Sequence, residues 1–276
     1  MGKRISIIGL GWLGLPLAKA LKAESHQVKG TVTMPDKALE LQSQNMDASV
    51  LTVSEQGIEI SNESIFECDI LIINFPPERT QNIEEIYPAQ VQHIIPYIEK
   101  HVVSKVIFIS STSVYPEINT IVTENKNYYP RKTSGLACLK AEKVLQGNKN
   151  FETTVIRFGG LIGADRNPHR FMKRGERNGH GHVPVNLIHI DDCIGIIKHI
   201  ISRDIWDETI NGCCPIHPTR EGFYKHAASI AGIEFPLFDN SALLKFKIVS
   251  SNKIIRQFGY DFKYKSPNQY LQSLAK

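Results

Sequence analysis

An isoleucine-rich run, Arg4 to Ile8, is followed at once by Gly9-Leu10-Gly11-Trp12-Leu13-Gly14. A short apolar run of this kind reads as a buried strand, and Leu13, Leu17, Ala20 and Leu21 then recur at helical spacing to about Glu24. Gly9 permits a tight strand-to-helix turn, Gly11 lets a pyrophosphate approach the backbone, and Gly14 lets helix and strand pack closely. The first helical turn offers unpaired N–H groups and a positive dipole end, which suits a diphosphate. Pro16 falls in or just after that turn, where its missing donor costs little. Gly9, Gly11, Trp12, Leu13 and Gly14 are therefore expected to hold a dinucleotide. Two plainer readings compete: a glycine-rich turn with no ligand, and a secretory leader opened by Lys3-Arg4. The interrupting glycines and the lack of a disulfide pattern speak against the leader.

A chain of 276 residues is long enough for one large α/β domain with an appended lobe. The net charge of +4 is compatible with an anionic small molecule and too weak and dispersed to argue for nucleic acid. Cys68, Cys138, Cys193, Cys213 and Cys214 include no CxxC, and an odd, scattered set fits a reducing compartment. No apolar stretch reaches membrane-spanning length, so a cytoplasmic protein without membrane partners is expected. No ligand spacing for a metal stands out; His180 and His182 alternate along an extended segment with no cysteine beside them.

After the first helix, His26 to Thr33 reads as a second strand. An acidic residue at its end would hydrogen-bond an adenosine ribose hydroxyl and repel a 2′-phosphate. Thr31, Val32 and Thr33 stand there instead, with Lys37 nearby, and Asp36 after Pro35 reads as the start of a helix from 36 to 44. The missing repulsion favours NADP, with NAD as the alternative. Residues 48–53 read as a third strand. The unbroken run 69–75 has the character of a central parallel strand, and Pro76-Pro77 stops it. Asn74, Phe75 and Pro76 form either a cofactor-lining loop or a plain turn. A helix over 83–101 carries Pro88 and Pro96 and is expected to be kinked or split. The strand from Val106 runs into Ser110-Ser111-Thr112-Ser113, a hydroxyl cluster that is either a Ser/Thr turn or the place where a nicotinamide or a substrate carbonyl lies.

GLGWLG, SSTSVYP after the central strand, Arg157-Phe158-Gly159-Gly160-Leu161-Ile162-Gly163, Asn186 to Asp192, and Ser251-Asn252-Lys253 with Phe258-Gly259-Tyr260 and Tyr264-Lys265-Ser266-Pro267 together resemble the extended short-chain dehydrogenase/reductases, in particular their NAD(P)-dependent epimerase/dehydratase-like group. The resemblance spans nearly the whole chain. It implies an α/β fold, a Rossmann-type doubly wound parallel sheet, with a dinucleotide-binding domain over 1–163 and a smaller C-terminal substrate lobe over 164–276, interleaved with the sheet. It also implies a homodimer built on helices near 83–101 and 134–146.

The family works with a Ser/Thr, a Tyr and a Lys, the last two as YxxxK on one helix face. Ser111 matches the Ser/Thr, and Thr112 adjoins it. Taking Glu142 as the family's glutamate four residues after the lysine puts Cys138 in the Lys slot and Ser134 in the Tyr slot. Tyr128 and Lys132 have YxxxK spacing, but Pro130 between them suggests a turn or a helix start. A positioned acid/base contributes ~10²–10⁴-fold to rate, so this departure leaves the proton donor unassigned. Arg166, Arg170 and Arg174, in a charged stretch from Asp165 to Val183, would hold an anionic or nucleotide-sugar-like substrate, or else form a solvated surface loop. His189 is counted with them as a substrate residue, although it opens an apolar helix and an anchoring role suits it as well. Two functions follow: an NAD(P)-binding epimerase, dehydratase or reductase acting on a small anionic or sugar-like carbonyl compound, or a non-catalytic dinucleotide-binding sensor.

Overall fold

The computed structural model describes residues 2–126, 128–163, 165–168, 179–241 and 245–274. In chain order the elements are β1 (Arg4–Ile8), α1 (Gly14–Ala23), β2 (Gln27–Val32), α2 (Pro35–Ser43), β3 (Asp47–Val53), β4 (Ile58–Ile60), β5 (Ile70–Ile73), α3 (Ile83–Lys100) and β6 (Lys105–Ser111). There follow β7 (Thr120–Val122), α4 (Thr133–Gln146), β8 (Glu152–Phe158), β9 (Gly160–Ile162), β10 (Leu187–His189), α5 (Ile190–Arg203), β11 (Thr209–Gly212), α6 (Arg220–Ala231), β12 (Lys247–Val249) and α7 (Pro267–Leu274).

Eight strands form one sheet in the order β11-β8-β6-β5-β1-β2-β3-β4. β1 runs parallel to β2 on one side and to β5 on the other, with Ile8 level with Thr31 and with Ile73. β2 continues in parallel to β3 and β5 to β6, while β4 turns back antiparallel on β3 as the edge. The strand order thus reverses between β1 and β5, and the crevice at the carboxyl ends of these strands is where an open α/β sheet receives its ligand. The expected doubly wound α/β fold is present. β5 is buried throughout, as the apolar run required, and β1 is buried from Ile5 to Ile8.

The chain divides into two compact units. The first comprises residues 1–114, 129–157 and 197–209, and the second comprises 115–128, 158–196 and 210–276. The expected division was a domain over 1–163 and a lobe over 164–276 interleaved with the sheet; each unit here is made of three chain segments. The end of α5 belongs with the first unit, where Lys3 donates to the Ile201 carbonyl (3.3 Å) and Lys105 pairs with Asp204 (2.6 Å). Residues 115–128 belong with the second because β7 pairs in parallel with β12.

Two prolines do not divide α3, which runs unbroken over 18 residues. Its stripe of Ile83, Tyr87, Val91, Ile94 and Ile98 is buried, and that burial offsets the donors that Pro88 and Pro96 lack. Among the described residues, no helix is long and apolar enough to cross a membrane.

In the second unit β9 pairs in parallel with β10, and α6 and α7 supply Phe223, Ala227, Tyr270 and Leu271 to a core that also contains Ile162 and Val185. Asp192 fastens the C-terminal segment: its carboxylate accepts from the amides of Lys263 (2.7 Å) and Tyr264 (3.0 Å) and from the Tyr260 hydroxyl (3.0 Å). Burial lowers the affinity of both His189 and His217 for a proton, so both imidazoles are held neutral. Below the ordinary histidine value of 6.5 the unfolded chain takes up protons that the folded chain refuses, and stability falls as pH drops through and below that value. Urea midpoints measured from pH 7.5 to 5.5 are expected to decline, and His217→Gln should flatten part of that decline.

Candidate functional site

The turn after β1 is fixed from three sides. Gly9 has φ +105°, a backbone conformation that L side chains rarely adopt, and a Cβ there would stand 2.9 Å from the Asn74 carbonyl oxygen. Its amide donates to Thr31 Oγ1 (3.3 Å), and the next amide, of Leu10, donates to the Thr31 carbonyl (2.7 Å). Its carbonyl accepts from Asn74 Nδ2 (3.0 Å), while the Asn74 amide donates to Ile8 (2.9 Å). A Cβ at Gly14 would be driven into the Gly9 carbonyl oxygen. Gly9 and Gly14 are therefore demanded by the protein's own packing.

Gly11 differs. A Cβ built on it meets no atom within 4 Å, and its φ is not one that needs glycine. The space in front of it belongs to a cavity of about 530 Å³ at the carboxyl ends of β1, β2, β3 and β5. This size lies within the range of small-molecule and cofactor sites. Of the expected cofactor residues, Gly9, Gly11, Thr31, Val32, Thr33, Asn74, Phe75 and Pro76 line it together. Trp12, Leu13, Gly14, Ser110 and Ser111 do not. Leu13 is 4% exposed and Gly14 is buried, so both serve the seat of α1 in the core.

Thr31 is 1% exposed and its hydroxyl receives the Gly9 amide, which gives it a part in shaping the turn. Thr33, at the rim, is exposed. Lys37 also lines the cavity, but its ammonium lies 2.8 Å from Glu40 on the next turn of α2. Sequence reasoning missed Leu51 to Val53, Glu78 and Gln90. The signal for Gln90 was a polar residue inside the apolar stripe of α3, at Ile83, Tyr87, Gln90, Val91 and Ile94. Gln90 is 8% exposed and donates from Nε2 to the Val53 carbonyl at 2.9 Å.

A second polar cluster lies at the end of β6. Glu142 of α4 is 1% exposed and meets Arg157 of β8 in a two-pronged pair, Nε to Oε1 at 3.0 Å and Nη2 to Oε2 at 2.6 Å. Ser110 donates to the same Oε1 at 2.5 Å. The hydroxyl of Ser110 is committed to this network. Ser111, half-buried, accepts from the Ser113 amide at 3.1 Å and keeps its own proton to donate. Thr112 is buried in the short turn that follows.

Ser134, Cys138 and Glu142 fall at successive fourth positions on α4, so the alignment that put the first two in the Tyr and Lys slots places them on one helix face. Ser134 is exposed. Cys138 is buried, and burial first, then the Glu142 charge, pushes its thiol up to about 12. Neither side chain is suited to move a proton at neutral pH. Tyr128 and Lys132 lie outside any helix, Lys132 being the residue before α4, so their spacing puts them on no common face. Arg166 is half-buried and forms a backbone bridge with Gly163, its amide on the Gly163 carbonyl at 2.9 Å. Arg170 and Arg174 lie outside the described residues. His189 is 5% exposed, with its ring against those of Tyr264 and Tyr270 at 4.5 and 4.3 Å. That is an anchoring position in the second unit's packing.

A family model described as NAD(P)H-binding matches residues 9–188. The chain belongs to the NAD(P)H-binding family. Protein YeeZ of Escherichia coli strain K12 is 32% identical over 268 residues, covering 96% of this chain and 97% of YeeZ. Two solved structures share the fold over 99% of the chain. UDP-glucuronic acid 4-epimerase from Bacillus cereus, in complex with NAD, is 18% identical with a TM-score of 0.76, covering 100% of that chain. The human epimerase family protein SDR39U1 (isoform 2), with NADPH, is 16% identical with a TM-score of 0.75, covering 99% of that chain. At these identities the likeness is one of fold alone.

The residues fit the cofactor class of the NAD(P)H-binding family: a glycine whose open face no protein atom fills fronts a cavity at the reversal of strand order. Removing Glu142 takes from Arg157 the carboxylate it meets twice and from Ser110 its acceptor. Glu142→Ala is expected to cost about 3–5 kcal/mol, read from urea unfolding, with Glu142→Gln losing less because it keeps a partner for Ser110.

Proposed function

We propose that this NAD(P)H-binding protein is an epimerase-, dehydratase- or reductase-like enzyme with a preference for NADP, acting on a small anionic or sugar-like carbonyl compound. The observation that carries the dinucleotide part is the open face of Gly11 above the cavity. Gly9, Gly11 and the start of α1 would receive the pyrophosphate, where backbone amides and the helix dipole favour an anion. The adenosine would extend toward Thr33 and Met34. Val32 and Thr33 close β2 without a carboxylate to repel a 2′-phosphate, which supports NADP, although Glu78 also lines the cavity and Lys37 would have to leave Glu40.

A bound nicotinamide supplies hydride transfer. Ser111 is the hydroxyl left free to donate to a reacting carbonyl oxygen, since Ser110 is held by Glu142. Arg166, Arg170 and Arg174 supply positive charge for an anionic substrate. A second reading, a dinucleotide-binding sensor that turns over slowly or not at all, is favoured by one specific observation. With Glu142 aligned to the family's glutamate, the Tyr and Lys slots fall on exposed Ser134 and on Cys138, whose thiol stays protonated.

Isothermal titration with NADPH and NADH tests the cofactor. Both nucleotides should bind, NADPH more tightly. Gly11→Val should weaken either by about tenfold or more (a loss of ~1.4 kcal/mol or more) while leaving the thermal midpoint in place. Failure of both nucleotides to bind the wild type would remove the cofactor assignment. Turnover across a panel of anionic and sugar-like carbonyl compounds separates the two readings. Ser111→Ala should lower kcat by about 10²-fold or more with the NADPH affinity unchanged. An unaltered kcat takes Ser111 out of the mechanism, and no turnover by the wild type on any compound favours the sensor.

A further inference from the structure

We infer that Gln90 reads the base of the bound dinucleotide, accepting a hydrogen bond from the exocyclic amine of adenine and so selecting a 6-aminopurine over a 6-oxopurine. This rests on the dinucleotide reading of the cavity. With the pyrophosphate at Gly9 and Gly11, the base must lie toward the carboxyl ends of β2 and β3, the part of the cavity walled by Val32, Met34, Leu51, Val53 and Gln90. The other side chains that line it there are aliphatic or a thioether, apart from Thr33 and Thr52. Gln90, 8% exposed, is the buried amide among them, and a buried polar group left unpaired costs more than an apolar contact gains.

The orientation of the amide is settled by its partner. A carbonyl oxygen can only accept, so the end of Gln90 that faces the Val53 oxygen at 2.9 Å is the Nε2 donor. That bond turns Oε1 the other way. Oε1 meets no donor among the described residues, and it is not one of the buried polar atoms sealed off without a partner. On this reading the oxygen faces the cavity that Gln90 lines. A carbonyl acceptor presented there matches the N–H donors of a 6-amino group and opposes the oxygen of a 6-oxo group.

The anchoring makes the acceptor selective. Val53 closes β3, and Gln90 sits in the buried stripe of α3 between Tyr87 and Val91, so both ends of the bond are fixed by packed elements. Tyr87 reinforces the arrangement by donating its hydroxyl to the Phe75 carbonyl at 2.7 Å, which ties the same helix to the loop after β5. The side chain therefore has little freedom to turn its amide over for a different base, and the cost of a mismatch falls on the ligand.

The test compares binding of NADPH with its deaminated analogue, nicotinamide hypoxanthine dinucleotide phosphate in reduced form, by titration of the whole protein. Wild type should bind the adenine form about tenfold more tightly or better. Gln90→Leu should bring the ratio close to one, chiefly by weakening the adenine form. Gln90→Asn, which keeps the amide on a shorter stem, should give an intermediate ratio and guards against a Leu variant that fails to fold. A purely structural role for Gln90 would lower both affinities in step and leave the ratio untouched, which would overturn the assignment. So would a wild-type ratio of one with both nucleotides bound. If wild type bound neither, the dinucleotide reading itself would fall, and this one with it.

Discussion

The close approach of the start of α1 to the turn after β1 governs what the carboxyl edge of the sheet can hold. Gly14 packs where a side chain would strike the Gly9 carbonyl, and that carbonyl is also the acceptor for Asn74. Through this one oxygen the first helix and the loop after β5 are referred to the same point on the turn. Thr31 adds the end of β2 by taking the Gly9 amide. Three segments distant in sequence thus converge without a charged side chain, and the backbone at Gly11 is left facing open space. Backbone N–H groups and the helix dipole then supply the positive potential that a diphosphate needs.

A different economy operates at the end of β6. On α4 this chain has an exposed Ser134 and a buried Cys138 thiol, and the same helix contributes Glu142 to a buried pair with Arg157. A buried ion pair is weak evidence of stability against an apolar replacement, but it fixes geometry because either charge alone is intolerable there. The network consumes Ser110 and leaves Ser111 as the neighbouring hydroxyl with a proton to offer. Chemistry at this position would depend on orientation and hydrogen bonding by Ser111 more than on proton transfer from α4.

Local patterns carried the parts of the fold that local physics decides. The strand–glycine–helix passage at 4–23, the buried run of β5, and the spacing that puts Ser134, Cys138 and Glu142 on one face of α4 could all be read from residue order alone. What could not be read depends on partners far along the chain. Thr31 was expected among the cofactor residues at the end of β2, but not that its hydroxyl accepts from a glycine amide 22 residues away. The hydroxyl cluster at 110–113 does not disclose that Ser110 donates to a glutamate 32 residues on. The two prolines of α3 suggested a break, but propensity yields to packing when a whole stripe is buried. The exchange of segments between the units is equally invisible to composition, since it follows from strand pairing such as β7 with β12.

Gln90 shows how a departure from pattern becomes informative once the fold is known. A polar residue in a buried helical stripe could be a tolerated irregularity, a structural tie or a ligand contact, and sequence alone gives all three equal standing. The Val53 bond accounts for the donor half of the amide as a structural tie. The acceptor half is not explained by the protein, because no described donor reaches it, and Gln90 lines the cavity. Gly11 poses the same problem in backbone form, a glycine for which the chain's own packing gives no reason. Both line the same cavity, one where a phosphate would sit and one where a base would. A glycine and an amide oxygen that the fold leaves unexplained, lining one cavity, are best explained by a ligand that spans them.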